Sequence, residues 1–182
     1  MFQTMYAKED QELIQKAISF LVENFNKSGN NSKPVILHSI RLAMRLYDKG
    51  EKASVVVGAL LHDLLEDTQV TLADITLSFG EEVAKLVEAN SFKSEIADYV
   101  QKYIETFERN IAYGRDAAII KAVDLLDNAD YYTLGAPESW SKLYGKYVKF
   151  LEMAEGLLKD TGVWAELQEK KGQLEKQMGI AE

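Results

Sequence analysis

One segment of the chain, residues 53–65 (ASVVVGALLHDLL), is apolar around almost its whole circumference. A helix that is apolar on all sides is stable only when other elements cover it. The segment is therefore predicted to be the buried central helix of the fold. Because its valines are β-branched, a buried strand is the alternative.

Most other segments repeat apolar residues at intervals of three and four, and only two prolines interrupt the chain, at positions 34 and 137. This periodicity predicts helices throughout, since no run alternates as a strand does. A length of 182 residues, 47% of them apolar, suits one sizeable core. We predict one all-α domain over residues 1–182, with its core at about 8–160 and a C-terminal helix and tail at 161–182.

Local signals predict where several helices begin and end. The stretch 26–34 closes the first helix, and the second begins near Pro34. Thr71 and Asp74 resemble a capping box that opens a short helix ending near Gly80. Further helices are predicted over residues 91–110, 117–130, 140–159 and 163–178, with a loop at 135–139 and a charged tail after 168 that frays.

The composition limits the possible partners. With 29 acidic and 21 basic residues the formal charge is -8, which opposes binding to a nucleic acid polymer because that affinity comes from neutralising phosphates. A small anionic substrate remains possible beside a bound cation. No apolar stretch approaches the roughly 18 residues of a membrane span, and no signal-peptide pattern opens the chain. We therefore predict a cytoplasmic protein with no membrane partner.

A group of polar residues ends the 53–65 segment, and on one helix they would share a face: His62, Asp63, Glu66 and Asp67. Three carboxylates there repel one another at a helix end that is already partly negative. No Lys or Arg lies between positions 52 and 85, so the compensating charge must come from a distant segment or from a metal.

A second acidic group interrupts the apolar run 119–129, where Asp124 is followed on its own face by Asp127 and Asn128. A buried acid without a partner would be costly. The only other histidine, His38, lies among apolar residues after Pro34. Because cysteine is absent, His and carboxylates are the available ligands, and two of each suit one divalent cation with positions left for water and substrate.

Each of these residues also has a purely structural interpretation. A histidine on an apolar helix is usually a satisfied core residue, and Asp63 or Asp124 can be a hydrogen-bonded structural acid. Glu66 and Asp67 can be a solvated helix end. A helical interaction module without metal is therefore an alternative, and only the joint pattern favours a metal site.

The ordered set of His38, the His62–Asp63 pair and Asp124 resembles the HD phosphohydrolase superfamily. Within it, residues 59–87, with the HDxxED signature, resemble the hydrolase domain of RelA/SpoT proteins. Residues 119–141 are similar to small single-domain alarmone hydrolases. The resemblance covers about residues 8–160 and implies an HD-fold helical bundle.

The resemblance implies one Mn²⁺ bound by His38, His62, Asp63 and Asp124. It implies that Glu66 and Asp67 activate and position the attacking water, and that Asn128 contacts the nucleotide near its ribose. Further candidates for substrate binding are Lys27, Lys33 and Lys121. The implied reaction removes the 3′-pyrophosphate from guanosine tetraphosphate or pentaphosphate, (p)ppGpp.

Two departures from the family pattern concern the substrate. Loop 26–33 contains two lysines but lacks the arginine that stacks on guanine in full-length RelA/SpoT proteins. After Asn128 the family usually has a basic residue and a threonine, where this chain has Asp130 and Tyr131. An HD-type nucleotide or NADPH phosphatase and a non-catalytic nucleotide sensor therefore remain as alternative functions.

Overall fold

The computed structural model describes residues 6–29 and 34–180, and the regular structure in these two ranges is entirely helical. The all-α prediction is therefore confirmed. The chain divides into two compact units, Met1–Glu95 and Ile96–Glu182. The prediction of a single domain stays a prediction. Across the described ranges, no helix combines the length and the apolar character that a membrane span requires.

A nearly all-apolar helix forms the centre of the first unit. The helices of this unit are α1 (Lys8–Ser28), α2 (Val35–Asp48), α3 (Ala53–Leu61), α4 (Leu64–Asp67), α5 (Leu72–Phe79) and α6 (Glu81–Asn90). Helices α1, α2 and α6 pack against α3, in which every residue from 55 to 61 is buried. Burial on all sides outweighs the modest helix propensity of its valines. The predicted central helix is confirmed.

The predicted start of α5 is also confirmed. The N–H of Asp74 donates to the Thr71 hydroxyl at 3.2 Å, and the N–H of Thr71 donates to the Asp74 carboxylate at 2.9 Å. These reciprocal bonds satisfy two N–H groups that the first turn of a helix leaves open. Gly80 then separates α5 from α6 with φ 86, a left-handed conformation that favours glycine.

The second unit is likewise built around a buried helix. Its elements are α7 (Tyr99–Tyr113), α8 (Arg115–Ala129), a 3-10 helix (Tyr132–Leu134), α9 (Pro137–Leu158) and α10 (Gly162–Met178). Helix α8 packs against α7, α9 and α10, and its residues 117–127 are all buried. The acid Asp124 therefore lies on the central helix of this unit.

Two predicted boundaries were wrong. The helix expected over 91–110 begins only at Tyr99, because Asp98 caps it by accepting from the N–H of Gln101 at 2.8 Å. Helix α9 begins at Pro137 rather than at 140, since the φ of proline suits the first helical position. The predicted helix over 163–178 is confirmed by α10, which stays helical after 168, where Leu174 is buried, although fraying was expected there.

Candidate metal centre

Helix α3 ends at Leu61 and α4 begins at Leu64, and His62 lies at this break between them. Its Nδ1 is 2.9 Å from the backbone oxygen of Ala59. A carbonyl oxygen can only accept, so Nδ1 carries a proton and donates it. In the neutral imidazole the Nε2 lone pair is then available, which is the tautomer of a metal-binding histidine whose other nitrogen is held by a carbonyl.

The break corrects the expectation that the four polar residues here share one continuous helix. Helix α3 ends at Leu61, and α4 begins at Leu64. The N–H groups of Glu66 and Asp67 both donate to the backbone oxygen of Asp63, at 3.2 and 3.0 Å. The Glu66 bond spans three residues instead of four, so the turn at Asp63 is tighter than a regular α-helical turn.

His62 and Asp63 present two ligand atoms side by side. His62 Nε2 lies 3.1 Å from Asp63 Oδ1, and the ring of His38 lies 5.4 Å from that of His62, centroid to centroid. A neutral Nε2 and a carboxylate oxygen are both acceptors, so a positive centre, either a proton or a metal ion, must lie between them. Two ligands at right angles and about 2.1 Å from an ion lie about 3 Å apart. The pair therefore fits a divalent metal.

Two contacts that no sequence pattern marks hold the α3–α4 segment in place. The Ser91 hydroxyl donates to the backbone oxygen of His62 at 3.1 Å, and the N–H of Phe92 donates to Glu66 Oε1 at 2.8 Å. Each contact joins positions more than 25 residues apart, so local periodicity carries no signal for it. Together they tie the candidate site to the end of α6.

The second unit places three of the predicted site residues together on α8. Lys121 Nζ lies 3.0 Å from Asp124 Oδ2, and Asn128 Nδ2 donates to Asp124 Oδ1 at 2.6 Å. The Lys121 and Asp124 side chains are 7% and 11% exposed, so the pair is buried. The central apolar helix tolerates the buried acid Asp124 because its carboxylate has a cation and an amide as partners.

The remaining predicted residues are less enclosed. Glu66 is exposed and Asp67 is partly exposed, so neither side chain belongs to the buried core of the first unit. The ammonium of Lys27 lies 2.6 Å from Glu23, one turn earlier on α1, and is exposed. Lys33 lies outside the described residues.

The donor chemistry suits a metal that accepts nitrogen and oxygen ligands. Three buried residues of the described chain each offer a ligand atom that suits a metal ion, namely His38 and His62 in the first unit and Asp124 in the second. Asp63 adds a carboxylate next to His62. Imidazole and carboxylate together are typical ligands of divalent transition metals.

Comparison with known proteins agrees with this chemistry. A family model described as HD domain matches residues 14–148, a range that includes all four candidate ligands. Guanosine-3′,5′-bis(diphosphate) 3′-pyrophosphohydrolase of Aquifex aeolicus is 32% identical over 163 residues, which cover 85% of this chain and 22% of that protein. The chain spans only 11–22% of the length of the first three bacterial relatives that it matches.

A shorter human relative matches along most of its length. Guanosine-3′,5′-bis(diphosphate) 3′-pyrophosphohydrolase MESH1 of Homo sapiens is 31% identical over 150 residues, which cover 81% of this chain and 82% of that protein. A solved structure of a metazoan ortholog of SpoT that hydrolyses ppGpp superimposes with a TM-score of 0.68 at 22% identity. The superposition covers 97% of this chain and 98% of that one, which confirms the predicted fold.

Proposed function

The chain belongs to the HD domain family, and on that premise we propose that it is a metal-dependent phosphohydrolase that removes the 3′-pyrophosphate from (p)ppGpp. The observation that carries the proposal is the His62–Asp63 pair, whose ligand atoms lie 3.1 Å apart while Ala59 holds the other nitrogen of the imidazole. The names of the relatives support the substrate class. The HDxxED sequence at residues 62–67 is the feature that the resemblance associates with this reaction.

We propose that one divalent ion is held by His38, His62, Asp63 and Asp124. Two carboxylates balance its charge, and imidazole with carboxylate suits Mn²⁺ among the candidate metals. When bound, the ion supplies Lewis-acid polarisation of a phosphoryl oxygen. Lys121 and Asn128 keep the Asp124 carboxylate in one orientation, which is the usual role of groups behind a metal ligand.

Glu66 and Asp67 are proposed to carry out the proton transfer. In the overall reaction the oxygen of a water molecule forms a bond to the phosphorus next to the ribose, and the bond from that phosphorus to the 3′ oxygen breaks. A carboxylate accepts the proton that the water loses, and the 3′ oxygen gains a proton to become a hydroxyl. Glu66 is held for this role by the N–H of Phe92, which donates to its Oε1 at 2.8 Å.

Substrate binding is proposed for Asn128 and for three lysines. The Asn128 amide donates to Asp124, so its oxygen remains able to accept from a ribose hydroxyl. Lys121 adds positive charge beside Asp124, Lys27 adds it near the end of α1, and Lys33 adds it in the sequence that follows. Such local cations are required because the whole chain carries a formal charge of -8.

The absence of an arginine from loop 26–33 favours a second candidate function, an HD-type nucleotide or NADPH phosphatase. A third is a nucleotide sensor without turnover. Incubating the protein with ppGpp, pppGpp, NADPH and ordinary nucleotides in Mn²⁺, Mg²⁺ or Zn²⁺, and resolving pyrophosphate from phosphate, separates the three. Release of pyrophosphate from ppGpp supports the proposal. Release of phosphate from NADPH, with no product from ppGpp, supports the NADPH phosphatase. Nucleotide binding without any product supports the sensor. We also propose a cytoplasmic location, where a free nucleotide of this kind would be met.

A further inference from the structure

Tyr132 opens the 3-10 helix that follows α8, and its side chain is buried, with 5% of the residue exposed. Within the part of the chain that the structure describes, its hydroxyl has no hydrogen-bond partner. Leaving a buried hydroxyl unpaired costs folding free energy, so such groups are uncommon and each requires an explanation. The position therefore calls for a ligand that completes the bond.

The ring of Tyr132 cannot easily turn its hydroxyl elsewhere. It packs edge-on against Tyr147, with ring centroids 6.5 Å apart and an interplanar angle of 89°. Tyr147 is fully buried, and its own hydroxyl donates to the backbone oxygen of Leu167 at 3.0 Å. Of these two neighbouring buried tyrosines, Tyr147 has a hydrogen-bond partner for its hydroxyl within the described protein and Tyr132 does not.

The surroundings of the hydroxyl determine what it can bind. Burial, and then the negative charge of Asp124, raise the pKa of Tyr132 far above its ordinary value, so the phenol keeps its proton and is a donor. The Asp124 carboxylate already accepts from Lys121 and Asn128 and does not bond to this hydroxyl. The missing partner is therefore an acceptor that arrives from outside.

Cationic groups in the same unit favour an anionic acceptor. Tyr99 also contributes to the electrostatic environment of Tyr132, and the ammonium of Lys142 lies 3.9 Å from the Tyr99 ring centroid. Lys146, one turn later on α9, lies 5.9 Å from the same ring. Lys121, beside Asp124, is a third ammonium group of the same unit.

We propose that Tyr132 is a substrate-binding residue whose hydroxyl donates a hydrogen bond to a phosphoryl oxygen of the nucleotide, next to the Asp124 cluster. This inference rests on the proposed function, because it takes the phosphorylated nucleotide as the ligand. A phosphoryl oxygen is a charged acceptor, so the bond is of the stronger, charge-assisted kind. Nucleotide binding would thus satisfy a hydroxyl that the free protein leaves buried and unpaired.

The test compares Tyr132→Phe, which removes only the hydroxyl, with Tyr144→Phe in the same unit. The Tyr144 hydroxyl donates to Glu175 Oε1 at 2.5 Å and so has a partner within the protein. Thermal midpoints are measured without ligand. The dissociation constant of inorganic pyrophosphate is measured by calorimetry with Mn²⁺-loaded protein, and kcat and KM for ppGpp are measured separately.

For Tyr132→Phe we expect a thermal midpoint equal to or above that of the wild type, because no internal bond is lost, and pyrophosphate binding about tenfold weaker. For Tyr144→Phe we expect a lower midpoint and pyrophosphate binding within about twofold of the wild type. Pyrophosphate binding by Tyr132→Phe within about twofold of the wild type would overturn the inference, whatever its thermal midpoint. A wild type that binds pyrophosphate but does not hydrolyse ppGpp would refute the proposed function, and the comparison of the two variants would still decide the role of Tyr132.

Discussion

The Nδ1 atom of His62 lies 2.9 Å from the backbone oxygen of Ala59, one turn earlier in α3. This contact determines which imidazole nitrogen is protonated and so leaves Nε2 toward Asp63, 3.1 Å away. The most apolar helix of the chain is therefore followed by a pre-oriented pair of candidate ligands. A buried helix cannot shift without losing its packing, which gives the pair a rigid support.

We expect the purified protein to contain about one tightly bound transition metal ion, because two imidazoles and two carboxylates combine affinity with charge balance. Asp63→Ala and Asp124→Ala should each lose it. The matched control is Asp160→Ala, which removes an exposed acid between α9 and α10 and should keep the metal. Elemental analysis of the four proteins checks this, and full occupancy in both ligand variants would refute the proposed ligand set.

The double substitution Glu66→Gln with Asp67→Asn should keep the metal and the fold but lower turnover by about 10²–10⁴-fold, the scale of general acid-base assistance. Glutamine retains an oxygen that can accept from the N–H of Phe92, so the segment stays anchored. Steady-state kinetics and metal content are measured together. Glu9→Gln with Asp10→Asn on α1 is the control. Wild-type turnover in the Glu66 and Asp67 variant would mean that these carboxylates have no catalytic role and only form a solvated helix end.

Lys121→Met should destabilise the metal-free protein by about 3–5 kcal/mol, because it leaves the buried Asp124 carboxylate without its cation. A bound divalent ion would replace that charge, so the loss should be smaller with Mn²⁺ than with a chelator. Urea unfolding under both conditions measures the difference. Lys149→Met, which removes an exposed ammonium paired with Glu152, should change little. An equal loss with and without Mn²⁺ would mean that Asp124 does not bind the ion.

Much of the fold follows from sequence, because α3 and α8 are apolar enough that only burial can stabilise them as helices. The candidate ligands were recognised for a related reason: acids that interrupt such helices need a cationic partner. The break at His62 and Asp63 could not be predicted, since both residues keep right-handed helical dihedrals. The tightened turn is held by Ser91 and Phe92, which directly follow α6. Long-range contacts of this kind have no local period.

The role of Lys121 shows a second limit of prediction from sequence. Its spacing from Asp124 permits an ion pair, but sequence alone cannot say whether the ammonium meets this acid or a substrate. The structure pairs it with Asp124, while its predicted role in substrate binding stays a prediction. The start of α7 was missed for a similar reason, because Asp98 competes as a cap within a segment whose apolar spacing looks helical.

Base selectivity should be weak. A stacked arginine contributes about 0.5–2 kcal/mol, roughly tenfold in affinity at mid-range, and loop 26–33 has none. We expect ppGpp and its adenine counterpart to be hydrolysed with kcat/KM values within about tenfold of each other. An arginine at Asn30, which lies outside the described residues, should raise the preference for guanine. Gly29 suits this substitution less, because its φ of 66 disfavours a side chain. Strong guanine preference in the wild type would contradict the expectation.

The most direct test is the product that Mn²⁺-loaded protein forms from ppGpp, with Asp63→Ala as the control. Anion-exchange separation should show one pyrophosphate released for each guanosine 5′-diphosphate formed. The Asp63→Ala variant should release neither. Release of single phosphates instead, or no pyrophosphate from ppGpp while another nucleotide is hydrolysed, would contradict the alarmone assignment and leave only a broader metal-dependent phosphohydrolase.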